Sequence, residues 1–162
     1  MIRPDIATSR KTHSRGQAIA EFALLLPMIL GIVGAGIDFS RGFAASMTLE
    51  SAARNAAEAA AYDATSLDEA RGIARSVLCT EAQRLPGFVP GSGGDVTTCT
   101  NPTLSVAYVR DEDAPGANQR YPLVTVTVAA TIDFALAVPW PFIPQNTWTL
   151  GSTQSFEILQ GR

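Results

Sequence analysis

The sequence has very few of the side chains that metal sites and nucleophilic catalysis require. It contains one histidine, His13, and two cysteines, Cys79 and Cys99. His13 lies in a basic N-terminal segment ahead of a long apolar run, so the rest of the chain has no imidazole for a Ser–His pair, a Cys–His pair or a zinc site. We therefore expect a protein that is not an enzyme and that holds no metal or other cofactor.

Charge is also scarce, and it is not basic overall. Charged residues make up 17% of the chain and the formal net charge is −3, whereas a nucleic-acid-binding domain normally has a basic face. The acidic turn at residues 111–113 lacks the spaced ligands of an EF-hand loop. The glycine-rich loop at residues 90–94 lacks the Lys-Ser/Thr of a phosphate-binding loop. From these absences we expect that the protein binds neither nucleic acid nor a small-molecule substrate.

The longest apolar run indicates a membrane anchor. Residues 22–37 contain no charge and are bounded by Glu21 and Asp38. Counted from Gln17, the run has 21 residues and reaches about 31 Å as a helix, enough to cross a bilayer core. The segment before it has one acidic residue, Asp5, and four basic ones: Arg3, Arg10, Lys11 and Arg15. The positive-inside rule keeps such a flank cytoplasmic, which predicts a single-pass membrane protein with its C-terminal part on the extracytoplasmic side.

A lone carboxylate at the start of this run has functional significance, because unpaired charges in membrane segments are rare. The sequence from Arg15 to Pro27 reads RGQAIAEFALLLP, and it resembles the processing site of type IV pilins, specifically that of the TadE-like pseudopilins of the tight-adherence (Tad/Flp) pilus. The resemblance implies that a prepilin peptidase cuts after Gly16, that Gln17 becomes the new N-terminus, and that Glu21 is the helix carboxylate. It also implies other pilus subunits, the Tad assembly machinery and membrane lipid as partners.

Two other interpretations remain open. The apolar run could belong to an ordinary signal peptide with a small-residue cleavage site at residues 44–46, which would release a secreted binding domain. Alternatively, the protein could be an uncleaved envelope anchor unrelated to pili. The mature N-terminus separates the three: Gln17, a residue near Met47, or the first residue of the chain.

The run continues as one long helix to about residue 62. Beyond Asp38, which can pair with Arg41, the spacing of Phe39, Phe43 and Met47 forms an apolar stripe, and residues 52–64 are rich in alanine. The stripe could pack on the chain's own domain or against other helices in a filament, where small residues permit close approach.

The remainder predicts a small α+β domain. A second helix is expected over residues 66–85, with Ser66 and Glu69 as a capping box. Its expected core face is Leu67, Ile73, Ala74, Val77 and Leu78. Alternation over residues 104–108, 124–138 and 148–159 predicts antiparallel strands, the second of them long enough to be either one strand or two joined by a bulge. The fold class is thus α+β: a long N-terminal helix, a shorter helix and a small antiparallel sheet.

These patterns divide the chain into a leader (1–16), a long helix (17–62) and an extracytoplasmic domain (63–162). The long helix is membrane-spanning over 17–37 and amphipathic over 38–62. On the extracytoplasmic side of the membrane Cys79 and Cys99 are expected to form a disulfide, with two buried free thiols as the alternative. The proline-rich segment 138–144 could cap the core with its aromatic rings. It could also offer Trp140, Phe142 and Ile143 to the membrane interface or to a neighbouring subunit.

Overall fold

The computed structural model of the protein describes residues 14–117, 121–139 and 145–160. Helix α1 spans Ser14–Asp63 without a break and includes Pro27, so it starts three residues before the expected Gln17. Helix α2 spans Leu67–Glu81 and is followed by a 3-10 turn at Ala82–Arg84. Three long strands complete the fold: β3 (Thr103–Asp111), β4 (Leu123–Ala135) and β5 (Thr147–Leu159). The expected α+β class is confirmed.

The three long strands form one antiparallel sheet in the order β3-β4-β5. Central strand β4 pairs along its whole length with β5, from Leu123 opposite Leu159 to Ala135 opposite Thr147. It is a single strand, so the bulge considered from the sequence is absent from it. A separate two-stranded sheet pairs β1 (Val89–Pro90) with β2 (Cys99–Asn101).

The core lies between one face of the sheet and the C-terminal half of α1. Six side chains of β4 at alternate positions are almost fully buried: Val124, Val126, Val128, Ala130, Ile132 and Phe134. Alanines cover them from α1 and its end, all of them fully buried: Ala52, Ala53, Ala56, Ala57, Ala60, Ala61 and Ala64. Such small side chains allow the helix axis to approach the sheet closely, so the alanine-rich stretch belongs to the domain's own core.

Helix α2 begins as the capping residues predict. The Ser66 hydroxyl accepts the backbone N–H of Glu69 at 3.3 Å, and the Glu69 carboxylate accepts the backbone N–H and hydroxyl of Thr65 at 2.9 and 2.8 Å. The Thr65 backbone and side-chain hydrogen bonds lower the pKa of Glu69. The predicted core face is correct for Ala74 and Leu78, which are buried, but wrong for Leu67, which is 36% exposed. Leu67 is the first helical residue and precedes the turn that contacts α1.

Candidate membrane anchor and processing site

The first half of α1 extends beyond the domain as an apolar helix. Its large side chains between residues 19 and 33 are 40–79% exposed. The helical stretch Gly16–Asp63 is long and apolar enough, by length and composition, to cross a membrane. An exposed apolar surface of this size is unusual for a protein in water and marks a membrane or protein contact. The chain therefore has the features of a membrane-anchored protein.

The expected processing residues lie in the first turns of this helix. A Cβ built at Gly16 would meet no heavy atom within 4 Å, so the helix leaves open space around the residue before the expected cut. The side-chain amide nitrogen of Gln17 donates to Glu21 Oε1 at 3.0 Å. The structure thus brings Gln17 and Glu21 together in the uncleaved chain, and the carboxylate already has one hydrogen-bond donor along its own helix.

Asp38, at the outer boundary of the apolar run, is buried beneath the domain. It is 3% exposed, and its two carboxylate oxygens accept the backbone N–H groups of Ala137 at 2.7 Å and Val138 at 3.3 Å. The expected pair with Arg41 is present at 3.5 Å. A carboxylate held by backbone N–H groups makes strong charge-assisted bonds. Asp38 therefore fastens the segment after β4 to the helix where the helix leaves the apolar run.

Two glycines one helical turn on either side of Asp38 make room for this contact. A Cβ at Gly34 would lie 2.7 Å from Val138 Cγ2, and a Cβ at Gly42 would lie 2.8 Å from Trp148 Cζ3. Gly34, Asp38 and Gly42 are buried on the same face of α1. The domain therefore contacts the helix at Gly34, which lies inside the uncharged run.

The apolar stripe of Phe39, Phe43 and Met47 faces away from the domain. These side chains are 65%, 58% and 59% exposed, so the interpretation that they pack on the chain's own domain is wrong. The domain instead uses the small residues of the opposite face, because a close helix–sheet approach leaves no room for phenylalanine. The exposed apolar surface of the helix consequently continues past Asp38 for more than two further turns.

The cysteines form a disulfide between the end of α2 and β2. The Cα atoms of Cys79 and Cys99 are 5.6 Å apart, and the bond joins residues 20 positions apart in the sequence. Both cysteines are buried, with 0% and 3% exposure. The Arg75 guanidinium donates to the carbonyl oxygen of Cys99 at 2.9 Å beside the bond. Together these contacts attach the small β1–β2 sheet to α2.

Sequence reasoning missed the contacts that α1 makes at Gly34 and Gly42, as well as the backbone bonds of Asp38. The only sequence signal is the regular spacing of Gly34, Asp38 and Gly42 at four-residue intervals. Trp140, Phe142 and Ile143, predicted as a possible interface, lie outside the described residues. Within residues 14–117, 121–139 and 145–160, no three metal-binding side chains are grouped closely enough to hold an ion.

Comparison with known protein families finds a match along helix α1. The family model described as TadE-like protein matches residues 16–65. Over these residues the chain is similar to the TadE-like family. The match begins at Gly16, the residue that the sequence singled out, and ends two residues beyond α1, so the resemblance inferred from the sequence is confirmed over these residues. No curated protein and no solved structure matches the chain.

Proposed function

We propose that this protein is a minor pseudopilin or assembly factor of a Tad/Flp-type pilus, anchored in the inner membrane and processed by a prepilin peptidase after Gly16. The observation that supports it most is the TadE-like match over residues 16–65, on a helix whose first half is apolar and exposed. The basic N-terminal segment stays in the cytoplasm and the α+β domain lies outside. Its partners are the peptidase, other pilus subunits and the assembly machinery.

Replacing Gly16 with leucine tests the processing step. Because a Cβ at Gly16 would meet nothing within 4 Å, leucine fits the helix, so a loss of cleavage reports recognition by the peptidase and not misfolding. The variant should accumulate as a precursor heavier by about 1.7 kDa, scaled to 16 residues from 17.1 kDa for 162 residues. Gly36→Leu is the matched control, because a Cβ there also meets nothing within 4 Å, and it should be processed normally.

The mature N-terminus separates this proposal from its alternatives. N-terminal sequencing should begin at Gln17. A start near Met47 would indicate a signal peptidase, and an intact chain would indicate a permanent anchor.

We further propose that Glu21 promotes ordered assembly. A charged side chain at the centre of a membrane-spanning helix costs about 2.5–3.5 kcal/mol on insertion scales. The cost is smaller near the end of the helix, where Glu21 lies, and the neutral Gln17 amide offsets only part of it. After cleavage Gln17 contributes an α-amino group, and pairing of Glu21 with this amine in a neighbouring subunit would favour the assembled state.

Glu21→Gln keeps the shape and removes the charge. This variant should insert stably yet fail to capture partner subunits or to support piliation. Glu50→Gln, on the exposed part of the same helix, should behave as wild type. Normal piliation and partner co-purification with Glu21→Gln would rule out the assembly role.

A further inference from the structure

One end of the domain meets α1 at the level where the apolar run stops. Four residues form this end: Leu85 and Pro86 after the 3-10 turn, Val138 after β4, and Trp148 at the start of β5. We propose that this membrane-proximal end rests on the bilayer surface and binds the headgroups of anionic phospholipids through Arg41 and Arg84. The inference rests on the proposed membrane anchor and adds a specific contact between the soluble domain and lipid.

The first argument is depth. Val138 packs against Gly34, which lies three residues inside the uncharged run that Ile37 ends. If the run fills the bilayer core, Val138 lies at or below the level where that core meets the headgroups. Trp148 packs against Gly42, about 12 Å farther along the helix, and is 40% exposed. Tryptophan at this height is typical of membrane interfaces, where its amphipathic ring is favoured.

The second argument is that apolar surface surrounds the helix at this level. On the domain side it is Val138 and Trp148, and on the opposite side Phe39 and Phe43 are more than half exposed. The carboxylate at this height, Asp38, is covered by the domain and satisfied by backbone N–H groups. A single protein partner would cover one side only, whereas a bilayer covers all sides. The arrangement therefore fits a lipid surface.

The third argument is a basic cavity beside this end. A cavity of about 320 Å³ is lined by two arginines and by Ala44, Ala45, Thr48, Leu85 and Pro86. Arg41 has one carboxylate partner, Asp38, although a guanidinium has five N–H donors. Among the described residues Arg84 has no ion-pair partner, and the nearby Glu81 is engaged by the Asn55 amide at 2.9 and 3.0 Å. Guanidinium groups suit phosphate oxygens, which they can bind with two N–H groups at once.

The experiment uses the full chain in vesicles of phosphatidylcholine, with and without phosphatidylglycerol, and lipids labelled with a nitroxide quencher near the headgroup. The chain has two tryptophans, so Trp140→Phe leaves Trp148 as the only tryptophan, which is excited selectively over tyrosine. The reference protein has both tryptophans replaced by phenylalanine and carries Tyr62→Trp, because Tyr62 is exposed at the far end of α1. We expect strong quenching of Trp148 and little quenching at position 62.

The contribution of Arg84 is tested in the Trp148-only protein. In phosphatidylglycerol vesicles, Arg84→Gln should lower about fivefold the ratio of protein whose membrane-proximal end contacts the headgroups to protein whose end does not, as expected for one basic residue at an anionic surface. Arg84→Lys should recover most of this contact. Arg54→Gln is the control. Arg54 is exposed on the same helix, about 20 Å beyond Arg41, where screening makes it insensitive to the surface.

Three results would overturn the proposal. Trp148 could be quenched no more than position 62. Its quenching could be the same with and without phosphatidylglycerol and unchanged by Arg84→Gln. It could also fall as the protein-to-lipid ratio rises, which would show that a second copy covers this end. Flotation with the vesicles and resistance to alkaline extraction are measured first. Failure there removes the membrane anchor itself, whereas normal insertion without Trp148 quenching removes only the lipid contact.

Discussion

Asp38→Asn tests the contact that holds the domain to the helix. The substitution preserves side-chain volume, so it creates no cavity, but it removes the negative charge and one of two acceptor oxygens. The N–H group of Ala137 or of Val138, now bound at 2.7 and 3.3 Å, then faces an amide NH₂. A hydrogen bond to a charged group contributes about 1.5–3 kcal/mol. The partner Arg41 is 39% exposed, so losing that ion pair adds little.

The expected loss is therefore about 2–3 kcal/mol of local stability, since one charge-assisted bond to a buried carboxylate is lost and one N–H group is left unpaired. Amide hydrogen exchange at Ala137 and Val138 measures it directly in the protein held in micelles. Protection of these amides should fall about 30- to 140-fold at tenfold per 1.4 kcal/mol. Amides in the middle of β4 should keep their protection, because their hydrogen bonds lie within the sheet.

Asp68→Asn is the matched control. Asp68 pairs with Arg71 at the same 3.5 Å distance and the same i,i+3 spacing as Asp38 with Arg41, but its side chain is 95% exposed. An exposed pair contributes about 0–1 kcal/mol, so exchange near Asp68 should change about fivefold at most. If the two substitutions change local protection equally, burial of Asp38 is not what holds the segment after β4.

Three further outcomes are expected in the folded domain. Glu69→Gln should flatten the acid side of the pH–stability curve. Hydrogen bonds from Thr65 lower the pKa of Glu69 below 4.5 in the folded protein. The ionised carboxylate therefore adds to the free energy of unfolding above that pH, and this contribution is lost as the pH falls through the lowered pKa. Gly87→Ala should lower the melting temperature more than Gly93→Ala. Both glycines have positive φ, but only at Gly87 would a Cβ clash with a backbone oxygen of β4, at 2.2 Å. Replacing both cysteines with serine should cost about 3 kcal/mol on the chain-entropy model for a loop of this length, and thiol labelling of the denatured, unreduced wild type should find no free thiol.

The sheet was predictable from alternation because only one of its faces is covered. The valines of β4 point into the helices at every second position, so the pattern in the sequence reports burial directly. The pattern also extends to Leu136 and Val138, yet β4 ends at Ala135. The backbone N–H of Leu136 bonds to Asn146, and the next two N–H groups bond to Asp38. Leu136 opposite Asn146 continues the register of Ala135 opposite Thr147. The Asp38 carboxylate, which is distant in the sequence, binds the next two N–H groups and so ends the ladder, and alternation contains no information about it.

The orientation of α1 could not be predicted from hydrophobicity. Phenylalanine and methionine at a four-residue spacing are the usual sign of a core-facing stripe, but here the core face is alanine and glycine. A helix lying against a sheet over several turns needs small side chains along the contact, and the large ones then fall on the outside. Likewise, Asp38 is read from the sequence as the partner of Arg41. Its stronger contacts are with residues 99 and 100 positions away, which no local pattern reveals.

The match to the TadE-like family extends well beyond the part of the helix that a membrane could hold. The uncharged run ends at Ile37, whereas the match continues to residue 65, through the alanines that form the helical half of the domain core. A membrane anchor alone would not constrain those positions, because lipid tolerates any apolar side chain. Close packing against a sheet does constrain them, since each added methylene in a filled core costs stability. The similarity is therefore best explained by two requirements on one helix: an apolar N-terminal half and a thin C-terminal half onto which a domain can close.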